Sequence, residues 1–107
     1  MDEYDIRLEN GELMTVKVNF YTLYLMKKHG VDQLEKRLEK AKPAQAEQLQ
    51  FEIASKMIYV ILRSNGKKVD EEEAMMMVPA DIREIEKMFY AFKQKMEVLK
   101  KKEDTKI

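Results

Sequence analysis

No proline or glycine interrupts the stretch from Ala44 to Asn65, and its second half carries six apolar residues in a row, Met57-Ile58-Tyr59-Val60-Ile61-Leu62. A short apolar run does not by itself separate a helix from a buried strand. The residues before it, AQAEQLQ, are helical in composition and lead into it without a breaker. One long helix over about 43–64 is therefore predicted. Pro43 fits its first turn, and Ser64-Asn65-Gly66 ends it. A helix that is apolar all round must be buried in the middle of its domain. The run is far too short to span a bilayer, so the rest of the chain has to cover it.

The 107 residues fit a single domain, 1–107, able to bury roughly 60–70% of the surface of its unfolded chain. The start, YDIRLENGELMTVKV, reads as a β-hairpin over 4–18. Tyr4, Ile6 and Leu8 alternate with charges, and so do Met14, Val16 and Val18. A two-residue Asn10-Gly11 loop would strand Met14 and Val16 on the charged face. A three-residue loop, Glu9-Asn10-Gly11, pairs Ile6 with Met14 and Tyr4 with Val16, and puts Gly11 where a left-handed residue is favoured. The second register is expected, because a one-residue slip turns every side chain over.

A helical body over 20–101 follows. Asn19 caps FYTLYLMKKH, and Gly30 stops it as the residue beyond the cap, with Val31 available for the accompanying contact. Asp32 is expected to cap a short surface helix, QLEKRLEKA, whose Leu34 and Leu38 lie one turn apart. Beyond the central helix, Asp70 and Glu73 have capping-box spacing, and so do Asp81 and Glu84. Pro79 separates the two helices, with Val78 pushed out of helical geometry. The last helix is expected over 82–101, with 103–107 a frayed tail. The fold class is mainly α with a small N-terminal hairpin (α+β) and about five helices.

The chemistry-bearing residues are few. There is no cysteine, so disulfides and thiolate metal sites are excluded. Asp70 to Glu73 are consecutive, so on a helix they fan out and cannot converge on one ion. Their role is the cap and the favourable charge at a helix start. His29, the single histidine, follows two lysines and reads as a solvated helix end. No catalytic set, cofactor motif or metal site is expected, and an enzyme is not. Basic and acidic residues number 20 each, which argues against a dedicated nucleic-acid binder. Lys67-Lys68 and Lys100-Lys101-Lys102 sit near helix ends, where cations are favoured anyway. The start, Met1-Asp2-Glu3-Tyr4, lacks the pattern of a signal peptide.

The nine methionines point to binding. Methionine is flexible and polarizable and suits surfaces that accept varied partners. Met75, Met76 and Met77 are consecutive, so at least one should face outward. Ile85, Phe89, Phe92, Met96 and Leu99 form a heptad-like seam on the last helix. Met75, Met76, Met77, Met88, Phe89, Phe92, Met96 and Leu99 are the expected partner or oligomer surface.

The layout resembles the small tail assembly chaperones of long-tailed, siphovirus-type bacteriophages and prophages. The likeness rests on the hairpin leading into NFYTLYLMKKHG, on KMIYVILRSNGKKVDEEEA and on VPADIREIEKMFYAF, and it covers nearly the whole chain. The resemblance implies a non-enzymatic protein that coats the tape-measure protein, helps recruit tail-tube subunits and self-associates. It implies the cytoplasm of the bacterial host and absence from the mature virion. It also implies a longer frameshifted form, with Lys100-Lys101-Lys102 as the place for an adenine-rich slippery stretch. The competing expectation is a small helical regulatory or nucleic-acid-binding phage protein.

Overall fold

The computed structural model describes residues 4–104. Its elements are β1 (Ile6–Arg7), β2 (Leu13–Met14), α1 (Phe20–Lys28), α2 (Val31–Glu39), α3 (Pro43–Ser64), α4 (Glu71–Met77) and α5 (Ile82–Asp104). The protein is mainly helical, with five helices and a two-stranded antiparallel hairpin among the described residues. α3 is the centre. α1, α2 and α4 pack on it, while α5 packs on β1. Val60, Ile61 and Leu62 are fully buried, as an all-apolar helix requires. The result is a slab of 42 × 41 × 24 Å.

The hairpin takes the three-residue loop. Ile6 faces Met14, Arg7 faces Leu13, and Gly11 has a φ of 89°. Ile6, Leu8, Met14 and Val16 all point into the core. The ladder stops sooner than alternation suggests. The Val16 N–H donates to the Asp5 carboxylate at 2.8 Å, so the expected Tyr4–Val16 pair is not part of it. Lys95 of α5 then donates to that carboxylate and to the Val16 carbonyl.

The helix ends follow their local chemistry. Asn19 and Thr22 form a capping box on α1, and Asp70 and Glu73 form one on α4. α3 ends in a Schellman motif: Gly66, at φ 86°, donates to Arg63, and Lys67 donates to Leu62. Two expected starts differ. α2 begins at Val31 rather than after Asp32, because Gly30, at φ 64°, both ends α1 and serves as the α2 cap. Asp81 does cap α5, accepting from Arg83 at 3.0 Å. Glu84 does not complete the box; its carboxylate accepts the Arg7 N–H of β1 at 2.9 Å. An outward donor of the hairpin edge is thereby satisfied and α5 is tied to the hairpin. α5 also runs past its expected end, through Asp104. Of the expected frayed tail, 105–107 lies outside the described residues.

Candidate interaction surface

α4 is a single short helix whose Ala74 is fully buried against the core. At about 100° per residue, Met76 lies on the side opposite Ala74, and its side chain is 72% exposed. Met75 is exposed beside it. Met77 turns back, packs against the core, and its carbonyl accepts the Glu9 N–H of the hairpin loop at 2.8 Å. Met76, Met77, Glu9 and Asn10 line a groove of about 280 Å³. The methionine triplet is thus split, with two outward and one inward.

The α5 half of the expected surface is corrected. Met88 is fully buried, Phe92 is 2% exposed, and Met96 is buried too. All three belong to one core cluster with Ile6, Leu8, Met14 and Val16. Phe89 is half-buried against that cluster, and Leu99 is half-buried at a groove shared with Val16 and Val18. The heptad-like seam is real as a pattern, and it faces the hairpin of its own chain. What the seam wanted was an apolar sheet face, and the sequence supplied one eighty residues earlier.

A second outward face was missed by the sequence reading. Phe20 is 78% exposed, and Tyr21 and Tyr24 are exposed beside it, their rings 6.1 Å apart and stacked. The Tyr21 hydroxyl accepts from Arg63 at 3.0 Å, and Lys28 lies 5.7 Å from the Tyr24 ring. Phe20, Tyr21, Tyr24, Lys27 and Lys28 share an arc of about 120° on α1. The inward side of the same helix carries Leu25 and a polar residue, Thr22. Its hydroxyl meets the Ser64 hydroxyl at 2.8 Å in the interior. The spacing 20, 24, 28 was the available signal. It is hard to see because Leu23, Leu25 and Met26 make the helix apolar on its other sides as well.

Charge is segregated along the chain, although its total is zero. From 17 to 31 there are three lysines and no acid; from 69 to 82 there are five acids and no base. Lys27, Lys28 and Glu72 form no ion pair among the described residues. Glu71 is the exception on α4, meeting Lys56 at 3.2 Å. Asp70 and Glu73 bond each other's backbone. The four acids therefore separate into a cap, an ion pair and a solvated side chain. Among the described residues, no three of His, Asp and Glu converge to hold an ion, and no helix is long and apolar enough to cross a membrane.

His29 is not solvated as expected. Its ring meets the Tyr59 ring edge-on at 4.9 Å, and Nδ1 is 3.8 Å from the Glu71 carboxylate. Nε2 is buried and makes no hydrogen bond among the described residues. Burial, then Lys56 and Lys28, hold its pKa below the ordinary 6.5, partly offset by Glu71. The unfolded chain therefore takes up a proton more readily than the folded one. Stability contributed by neutral His29 is present above pH 6.5 and is lost as the pH falls from there through the lower folded value. Urea midpoints should fall between pH 7 and pH 5.5 in the wild type and fall less in His29→Gln. Equal falls in both would remove His29 as the cause.

No protein-family model, curated protein or solved structure matches this chain.

Proposed function

We propose that this protein is a non-enzymatic binding protein, a tail assembly chaperone of a long-tailed bacteriophage or prophage. In this reading it shields apolar helical segments of the tape-measure protein and helps recruit tail-tube subunits in the host cytoplasm. It leaves before the virion is mature. One observation carries the reading: Met75 and Met76 stand outward on α4, beside the groove formed by Met77 and the hairpin loop. Methionines suit a partner whose apolar stripe varies along its length. An apolar helix laid in such a groove is held by contacts soft enough to reverse. Glu9, Glu72 and Glu73 rim the surface and keep the free protein soluble.

The test is co-expression with the tape-measure protein of the same phage or prophage. The wild type should keep that protein soluble and co-purify with it. Met75→Ser/Met76→Ser should keep its own helical circular dichroism but lose co-purification by roughly 5–30-fold, the equivalent of about 1–2 kcal/mol at an interface centre. Solubility and recovery unchanged by the presence of the wild type would overturn the reading.

A second reading draws on the lysines and aromatics of α1: a small helical regulatory or nucleic-acid-binding protein. Aromatic and basic side chains together are the means by which single strands are held. It requires salt-dependent binding of a short oligonucleotide, abolished by Lys27→Glu/Lys28→Glu.

A further inference from the structure

The chain holds three asparagines, and two of them precede glycine: Asn10-Gly11 and Asn65-Gly66. The two pairs are alike in sequence and unlike in structure. Asn65 ends α3, half-buried, with a φ of −97° and a ψ of 15°. Its side-chain amide donates to the Ile61 carbonyl at 2.7 Å, and its Oδ1 accepts the Lys17 N–H at 3.2 Å. Both ends of that amide are tied. Asn10 is exposed at the tip of the hairpin. Its Oδ1 accepts the Glu12 N–H at 2.9 Å, and among the described residues no hydrogen bond holds its amide nitrogen. We propose that Asn10 is a site of spontaneous covalent modification, closing on the Gly11 nitrogen to lose ammonia and leave a carboxylate in the methionine groove.

The chemistry uses only the chain and water. A solvent base takes the Gly11 amide proton, and the nitrogen attacks the side-chain carbonyl carbon of Asn10. The new C–N bond closes a five-membered succinimide. The bond to the side-chain nitrogen breaks, and that nitrogen takes up a proton and leaves as ammonia. Water then opens the ring at either carbonyl. One opening gives aspartate at position 10; the other gives isoaspartate, whose main chain runs through the β-carbon. Nothing is oxidised or reduced. The Glu12 N–H already rests on the oxygen that carries negative charge as the nitrogen adds.

Crowding does not separate the two sites, since a Cβ at either glycine would meet nothing within 4 Å. Opening does. The Gly11 N–H donates to the Leu8 carbonyl at 2.9 Å, and the Gly66 N–H to the Arg63 carbonyl at 3.1 Å. Each bond must break before its nitrogen attacks. At Asn10 this loosens the tip of a two-residue ladder. At Asn65 it undoes the end of the buried central helix and both side-chain bonds. Loop tips open at a small fraction of the global cost.

The place of the site gives it consequence. Asn10 lines the groove with Glu9, Met76 and Met77. A carboxylate there would lose its water beneath an apolar partner, which is costly. The isoaspartate form also lengthens the main chain beside Glu9, whose N–H holds the Met77 carbonyl at 2.8 Å. The effect on a partner rests on the reading of Met75 and Met76 as a binding surface; the modification itself does not.

The test uses the purified full chain alone, so its outcome is separate from that of the co-expression experiment. The folded protein is held at mildly alkaline pH for weeks, then digested with trypsin and weighed against an unaged baseline. Cleavage after Arg7, Lys17, Arg63 and Lys67 puts the two sites in separate peptides, 8–17 and 64–67. Peptide 8–17 should gain about one mass unit and split into two chromatographic products. Its rate should exceed that of 64–67 by roughly tenfold or more. In urea, where the fold is lost, the two rates should come within about threefold of each other. Asn10→Ser keeps an oxygen for the turn but has no amide to lose, and its 8–17 peptide should not change in mass. Hydrogen exchange should find the Glu9 amide less protected in aged wild type than in aged Asn10→Ser. Equal rates in the folded chain, a faster 64–67, a difference that survives in urea, or a mass gain in 8–17 of Asn10→Ser would overturn the proposal. Unchanged protection at Glu9 would overturn its reach into the groove.

Discussion

Phe92→Ala is expected to cost about 3–5 kcal/mol, the range for emptying an aromatic site in a packed core. Phe92 is 2% exposed and belongs to the cluster holding Ile6, Leu8, Met14 and Val16 of the hairpin. The loss combines the transfer term of the ring with a cavity that the hairpin cannot collapse to fill. β1 is held in place by the Glu84 carboxylate on the Arg7 N–H, and Asp5 and Val16 by Lys95. A domain of this size has about 5–15 kcal/mol in all. A single side chain therefore carries a large part of it. With a urea m-value of about 1–3 kcal/mol/M, the midpoint should drop by roughly 1–5 M. Val98→Ala on the same helix should stay within about 0.5 kcal/mol, since Val98 is exposed. A Phe92→Ala cost below about 1 kcal/mol would mean that α5 does not rest on the hairpin in solution. The seam would then be open to another chain. For the same reason Phe92→Glu is no probe of self-association, because it places a charge in the core.

What could be read from the sequence was what depends on near neighbours. Alternation and Gly11 fixed the hairpin register. The uninterrupted run from Pro43 placed α3, and the spacing of Asp70 and Glu73 gave the α4 cap. What could not be read was which surface meets which. The α5 pattern said that Phe92 and Met96 needed an apolar partner without saying whether it belonged to this chain. Glu84 had the spacing of a capping residue, but an outward edge donor at Arg7, far away in sequence, competed for it and won. Thr22 is polar, and nothing near it in sequence says that it is buried. The Ser64 hydroxyl across the interface makes its burial tolerable, and that rotates Phe20, Tyr21 and Tyr24 into solvent. The total charge of zero concealed the acid-free stretch 17–31 and the base-free stretch 69–82. A sum over the chain removes the separation that an interface uses. The candidate surface was therefore half legible: Met75 and Met76 by their sequence, the α1 face only through the fold.

The second large effect is expected inside α3 and is best measured as a contrast. Ile61→Ala should cost about 2–5 kcal/mol, and Phe51→Ala should change stability by no more than about 0.5 kcal/mol. Removing the larger side chain is expected to matter less. Ile61 is fully buried on α3, the helix against which α1, α2 and α4 all pack, so its loss opens a cavity in a packed interior. Phe51 lies ten residues earlier on the same helix and is 73% exposed. Little of its surface leaves water on folding, so little transfer free energy is forfeited. Helix propensity favours alanine over phenylalanine there and offsets part of what remains. Urea unfolding of both variants at one low concentration reads the difference directly. Repeating Phe51→Ala at a concentration a hundredfold higher adds a second reading. If its cost grows with concentration, the ring is being covered by another copy, and this face takes part in association. If its cost stays near zero at both, α3 serves the molecule from within and leaves recognition to other elements, α4 first among them.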